Sequence, residues 1–315
     1  MRKIDYSIIE SNLKKFRAND YLVLKSDAYG FGFKDVFNLA INNGFYKFCV
    51  IDIDEAINIK KNYPNARVLM LGCFDINLLE EYEKYDIELS INSIEDIFDL
   101  IAHQIRVQIK INSGMNRFGI NPEDLIKVIE LIKNSKLILT GIYSHNATKD
   151  KLHIKSQIEA FYYAAKHISN IDIHFSASSL LNESIDFTNC VRIGECVFQN
   201  ALCVYGKIIK INYLKKGDYV GYDYSYKMRK DSYVGIIDIG YADGLERNCN
   251  GFLVYTSSRC YHLIGKACMN YCFVLIDKEV GVGDLFYFIG EKNDISNYQK
   301  FFGKINHEIY LRFNI

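Results

Sequence analysis

The chain has 315 residues, with 38 basic and 38 acidic side chains and a formal net charge of zero; 49% of it is hydrophobic. That balance gives no electrostatic pull toward nucleic acid or an anionic membrane surface. The length suffices for a sizeable core and two domains. The nine cysteines are odd in number and scattered, and Cys268 and Cys272 have no second pair beyond them. Metal-ligand spacing is therefore absent, no metal is expected, and reduced cytosolic thiols are the natural reading.

Residues 1–5 run into an amphipathic segment, so no secretory signal is evident. No apolar run approaches the ~18 residues that span a bilayer; even 137–143 is broken by Thr140 and Gly141. A cytoplasmic protein is expected. β-rich runs follow at 21–24, 48–51, 67–71, 87–91, 105–111, 137–143, 171–175 and 190–193, giving eight candidate strands. Helical patterns lie between most of them, for example at 54–61, 122–133 and 150–169. Asn121-Pro122-Glu123-Asp124 places a cap residue, a first-turn proline and first-turn acids in the order that starts a helix. Alternation of this kind predicts a parallel sheet with crossover helices, and eight units predict a closed (β/α)8 TIM-like barrel.

After about Gly206 the texture changes. Runs at 208–211, 219–222, 233–239, 252–255, 261–265, 272–276 and 285–289 are separated by turn signals such as Lys216-Gly217-Asp218 and Asn250-Gly251. No helical pattern interrupts them until the last twenty residues. The expected organisation is an α/β barrel over 1–205 and an all-β C-terminal domain over 206–315.

The segment from Val23 to Gly32 holds the first chemical signal: Lys25 ends an apolar strand and enters a turn with two glycines. In a barrel, active sites are built at the carboxyl ends of the strands. A lysine desolvated there can react with a carbonyl cofactor. Taken alone, the segment fits more readily a lysine that snorkels into solvent.

Six blocks in order change that balance. The segment Val23-Leu24-Lys25-Ser26-Asp27-Ala28-Tyr29-Gly30 resembles the cofactor-attachment motif of the alanine racemases. Lys110-Ile111-Asn112-Ser113-Gly114-Met115-Asn116-Arg117-Phe118-Gly119, Tyr143-Ser144-His145 and Val191-Arg192-Ile193-Gly194 resemble further blocks of that family. So do Ile239-Gly240-Tyr241-Ala242-Asp243-Gly244 and Gly265-Lys266-Ala267-Cys268-Met269-Asn270.

The resemblance implies a pyridoxal 5′-phosphate enzyme that racemises alanine with two opposed bases. Lys25 would carry the cofactor and serve the D-specific face; Tyr241 would serve the L-specific face. A free phenol titrates near ~10, so such a base needs a cation beside it. Arg192 would face the pyridine nitrogen and, as a donor only, keep it unprotonated. Without the resemblance, an ordinary salt-bridged arginine fits as well. Tyr29, Ser178 and the backbone around Gly194 and Glu195 would hold the phosphate, and His145 would lie by the ring. Arg117 and the Met269 N–H would hold the substrate carboxylate. Lys110 matches a position that is carbamylated in many family members; a carboxylate-paired lysine stands level with that reading. The family further implies a homodimer in which Tyr241 and Met269 complete the partner's site, with D-alanine going to peptidoglycan.

The chain departs from the family pattern at Asn112 and Asn270, where acids are usual, and at Ala177, where Asn is common. It stops after the stretch from Glu308 to Ile315, without the phosphate-binding tyrosine often found beyond it. Alternatives are a broader racemase for serine or lysine, a decarboxylase on the same barrel, and a non-catalytic pyridoxal-phosphate carrier. The decarboxylase would want an acid at the pyridine nitrogen, and the carrier lacks the all-β domain.

Overall fold

A computed structural model describes residues 1–148, 150–166, 168–175 and 185–313. The chain forms two compact units. One comprises Asn12–Ala28 and Phe33–Val197; the other comprises Met1–Ser11, Tyr29–Gly32 and Phe198–Ile315. The first strand, β1 (Arg2–Ile4), belongs to the second unit, pairing antiparallel with residues 202–204.

The first unit is a barrel of parallel strands: β2 (Tyr21–Val23), β3 (Lys47–Val50), β4 (Arg67–Met70), β5 (Glu88–Ile91), β6 (Arg106–Lys110), β7 (Ile138–Tyr143), β8 (Asp172–His174) and β9 (Arg192–Ile193). They hydrogen-bond in the order β8-β7-β6-β5-β4-β3-β2-β9. Asn189 links the two ends of that order: its N–H donates to the Ile173 carbonyl at 3.0 Å, and its Oδ1 accepts the Ile173 N–H at 2.9 Å. The eight-stranded barrel read from the apolar runs is thus the fold of this unit. Strands β2, β3 and β5 are buried along their whole length, as expected of parallel strands covered on both faces.

The helices start where local chemistry satisfies their first N–H groups. Asp52 caps Ile53–Asn62 by accepting from Asp54 and Glu55 N–H. Ser93 and Asp96 form a capping box on Ile94–Leu100. Asp150 caps Lys151–Ala165 through the His153 N–H. The single helix expected over 122–133 is a 3-10 turn, Pro122–Asp124, followed by the α-helix Leu125–Lys133. Proline supplies no N–H there, and the Leu125 N–H tightens the turn by reaching the Pro122 carbonyl.

The second unit is antiparallel. Its strands are β10 (Leu202–Leu214), β11 (Tyr219–Val220), β12 (Tyr226–Lys227), β13 (Ser232–Ile237), β14 (Leu253–Tyr255), β15 (Cys260–Ile264), β16 (Cys272–Ile276) and β17 (Leu285–Ile289). The main sheet runs β1-β10-β13-β16-β15-β14-β17, and β17 also pairs with β10, which closes it. The thirteen-residue β10 makes this possible: its first half meets β1 and β17, its second half β13. Helices Ile295–Phe302 and Asn306–Arg312 follow. No described helix is long and apolar enough to cross a membrane.

Candidate active site

Lys25 stands at the carboxyl end of β2 and opens a turn of unusual hand. Ser26, Asp27 and Ala28 have φ of 56°, 54° and 52° with matching ψ. For residues with a Cβ this left-handed conformation costs about 1–2 kcal/mol each, so the surroundings must hold it. The Ala28 N–H returns to the Leu24 carbonyl at 2.9 Å, and Ala28 is fully buried. Glu55 Oε1 accepts the Asp27 N–H at 3.2 Å, while Asp27 Oδ1 accepts the Phe33 N–H at 2.6 Å. Burial lowers the Lys25 pKa, and the charge of Arg117 lowers it further. A more accessible neutral amine is the result.

Lys110, the last residue of β6, lies in the same cationic group. Burial, then the charges of Arg117 and Arg192, bring its pKa down to about 8. Its Nζ sits 5.2 Å from the Phe118 ring and 5.7 Å from the Tyr143 ring. Among the described residues no carboxylate lies within ion-pair reach of Lys110, Arg117 or Arg192. The carboxylate partner required by one reading of Lys110 is therefore not found, and Arg192 is not an ordinary salt-bridged arginine.

Arg192 is 4% exposed. Its Nη1 donates to His174 Nδ1 at 2.6 Å, and its Nη2 donates to the Ser144 carbonyl at 2.5 Å. Longer contacts reach the carbonyls of His174 and Phe175 and the Nδ1 of His145, each at 3.3 Å. Both terminal nitrogens are committed to protein acceptors, which leaves the Nε–H as the donor for a ligand.

His145, just past β7, has its pKa pushed down to about 3, first by burial and then by the charges of Arg192 and Arg117. A histidine kept neutral in the folded state is protonated first in the unfolded chain. Stability should therefore fall as pH drops below about 6.5 and keep falling toward about 3, at up to about 1.4 kcal/mol per pH unit for one such group. Thermal melting between pH 7 and pH 4 checks this: His145→Asn should flatten the acid limb relative to the parent.

Arg117 is exposed on the loop between residues 110 and 120, which is closed by hydrogen bonds from Asn112 N–H to the Ile120 carbonyl and from Ile120 N–H to the Lys110 carbonyl. Asn112 organises that loop. Its Oδ1 accepts the N–H groups of Gly114 and Asn116, as a carboxylate would, and its Nδ2 donates to Asn116 Oδ1 at 2.9 Å, as a carboxylate cannot. Gly194 and Glu195 stand at the start of the 3-10 turn Glu195–Phe198. Ser178 and Ala177 lie outside the described residues, as do Asn314 and Ile315 at the chain's end.

In the second unit, Tyr29 packs its ring against Phe198 and His307, at 5.4 and 5.2 Å between centroids. Tyr241 begins a 3-10 turn, Tyr241–Asp243, whose entrance is pinned by Asp243 Oδ2 accepting the Gly240 N–H at 2.8 Å. That turn is stitched to its neighbour: Tyr241 N–H reaches the Cys268 carbonyl and Ala242 N–H the Met269 carbonyl, at 3.1 and 2.8 Å. The side chains of Tyr241 and Met269 face solvent, 40% and 55% exposed. Asn270 is exposed, and its exchange for the family's acid has no structural explanation.

The close approach depends on Gly240. A Cβ there would lie 2.3 Å from the Met269 carbonyl oxygen and 2.4 Å from that of Cys268. Gly240→Ala should separate the two turns, lower stability by about 1–3 kcal/mol, and depress turnover by misplacing Tyr241. Melting temperature and kcat measured together check it.

Sequence reasoning missed Gln108, His174 and Tyr21. All three are polar and buried, and a chain of hydrogen bonds runs from Arg192 to His174, from His174 to Gln108 and from Gln108 to Tyr21. The available signal was a polar residue inside an apolar strand: Gln108 lies between Val107 and Ile109, and a buried amide demands partners.

Comparison with known proteins adds to this geometry. Models of the alanine racemase N-terminal and C-terminal domains match residues 4–201 and 201–314. An alanine racemase of Borreliella burgdorferi strain ZS7 is 28% identical over 319 residues, covering 91% of this chain and 86% of its own. The crystal structure of an alanine racemase from E. faecalis superposes with a TM-score of 0.89 at 23% identity, covering 99% and 95% of the two chains. A histidine racemase from Leuconostoc mesenteroides shares the fold as well, with a TM-score of 0.83 at 22% identity over 100% and 95%.

Proposed function

This chain belongs to the alanine racemase family, and on that premise we propose that it interconverts L- and D-alanine with pyridoxal 5′-phosphate, as a cytoplasmic homodimer supplying D-alanine for peptidoglycan. The observation that carries the reading is the charge of the barrel mouth. Lys110, Arg117 and Arg192 meet there with no carboxylate in ion-pair reach among the described residues. An anionic cofactor and a substrate carboxylate are what such a cluster is suited to hold.

The donor set fits pyridoxal phosphate. Arg192 would offer its Nε–H to a ring nitrogen, and because a guanidinium only donates, it would favour that nitrogen unprotonated. His145, neutral in its buried setting, can lie against a ring without adding charge. Tyr29, Ser178 and the backbone at Gly194 and Glu195 would hold the phosphate. The cofactor, when bound, supplies the sink for the electron pair left behind by the α-proton. Lys25, whose pKa burial lowers, accepts or returns the proton on one face of the α-carbon. Tyr241 does so on the other, and Arg117 with the Met269 N–H orients the carboxylate between them. Tyr241 and Met269, both exposed in the single chain, come from the second copy.

A chiral assay across alanine, serine, lysine and histidine tests the reading. Turnover of alanine in both directions supports it. Turnover of the other amino acids at equal efficiency makes this a broader racemase, and none at all makes it a pyridoxal-phosphate carrier.

A further inference from the structure

Below Arg192, the barrel interior holds a continuous ladder of polar side chains. At the amino end of the barrel, Tyr21, Lys47, Arg67, Glu88 and Asp172 are each the first residue of their strands. Asp172 Oδ1 accepts from Lys47 at 2.7 Å, while its Oδ2 accepts from Arg67 at 2.6 Å and from the Tyr21 hydroxyl at 2.7 Å. Glu88, fully buried, takes the Nε and Nη2 donors of Arg67 at 2.6 and 3.0 Å. One level up, Gln108 Nε2 donates both to Tyr21 Oη and to Glu88 Oε2, each at 2.7 Å.

These partners fix which way round the Gln108 amide lies. Glu88 can only accept, and Tyr21 has already given its proton to Asp172, so both require a donor from Gln108. A flipped amide would set its carbonyl against a carboxylate in a dry interior. The amide oxygen is thereby turned to His174, 2.8 Å from its Nε2. His174 is held between the rings of Tyr21 and Tyr143, at 4.9 and 5.1 Å between centroids. Its in-plane partners are therefore Gln108 on one edge and Arg192 on the other. Gly141 leaves room for this arrangement: a Cβ there would lie 2.8 Å from the Gln108 amide carbon and oxygen.

We propose that Gln108 is a positioning residue: its amide oxygen keeps the His174 proton on Nε2, so that the bare Nδ1 anchors Arg192 in the orientation that presents Nε–H to the cofactor's ring nitrogen. The proposal rests on the reading of Arg192 as the partner of a pyridoxal ring. Among the described residues no acid is within ion-pair reach of Arg192; its orientation is set through His174 and Gln108, which the carboxylates below hold in place. Groups that orient a ligand-binding side chain without touching the ligand change affinity or activity by about 10-fold to 100-fold when removed.

The test uses the holoenzyme as purified, with 15N-histidine and with pyridoxal phosphate labelled at its ring nitrogen. In the parent, His174 should show a protonated Nε2 and a bare Nδ1, and the ring nitrogen should resonate as unprotonated. In Gln108→Met, which keeps the volume and loses the acceptor, both signatures should move. Cofactor dissociation should rise about tenfold or more, and transamination of alanine, scored as pyridoxamine phosphate, should increase. A purely packing role would lower the melting temperature and leave both nitrogen signals in place, which overturns the proposal; so does a parent His174 protonated on Nδ1. If Gln108→Met does not fold, Gln108→Glu, which must take up a proton to lie against Glu88, still turns an acceptor toward His174 and should keep its tautomer. Loss of the tautomer there counts against the proposal. Should the purified parent carry no pyridoxal phosphate, the functional reading fails, while the His174 tautomer in parent and variant still decides the part assigned to Gln108.

Discussion

Lys25→Ala is expected to end covalent attachment of the cofactor and to cut racemisation in both directions by roughly 10⁴-fold, the upper end of what a positioned proton-transfer group contributes. Among the described residues, two lysines in the barrel have pKa values lowered by burial, Lys25 and Lys110, so reactivity alone does not choose between them. Position does. Lys25 stands at a strand's carboxyl end directly before a backbone of fixed, costly hand, with Asp27 and Glu55 tying the turn down. Lys110 ends its own strand between aromatic rings. Borohydride reduction of the holoenzyme followed by peptide mapping should place the pyridoxyl group on the peptide containing Lys25. A label on Lys110, or one that survives Lys25→Ala, would refute the assignment.

Tyr241→Phe should leave cofactor content and melting temperature near those of the parent. The side chain is 40% exposed in the single chain, so packing within the chain does not depend on its hydroxyl, and removing such a group shifts the chain's stability by about 0.5 kcal/mol or less. Racemisation should fall about 10²- to 10⁴-fold. The two-base arrangement makes a sharper demand than a simple loss. With Lys25 intact, the variant should still exchange the α-hydrogen of D-alanine with deuterium from solvent, and L-alanine should exchange far more slowly. Equal exchange of both enantiomers would remove Tyr241 from the reaction.

How far the residues announced this architecture depends on which kind of signal each element carries. The barrel strands are mostly buried and mostly apolar, and runs such as 48–51 and 105–111 stand out from the helical stretches between them. Segment β1 is three residues long and meets its partner only in the far half of the chain, so nothing local marks it as a strand. The left-handed turn after Lys25 contains Ser, Asp and Ala, where glycine would have flagged it; its hand comes from the tertiary contacts of Glu55 and Phe33. Among the candidate site residues, motif order points to Lys25, Arg117, Arg192 and Tyr241. It does not point to the ladder below Arg192, because Glu88 and Gln108 read as surface residues until the barrel closes round them.

The pairing of β1 with β10 also bears on how the molecule is made. Arg2 finds Val204 and Ile4 finds Leu202, partners that leave the ribosome only after the whole barrel-forming segment has been synthesised. Strand β1 is thus without its partner until residues 202–204 have been made, and until then its edge stays unpaired. Long-range antiparallel pairing of this kind slows folding and exposes the chain to association with its neighbours. Assembly of the second unit therefore waits on strands made after those of the barrel, however early the barrel has collapsed.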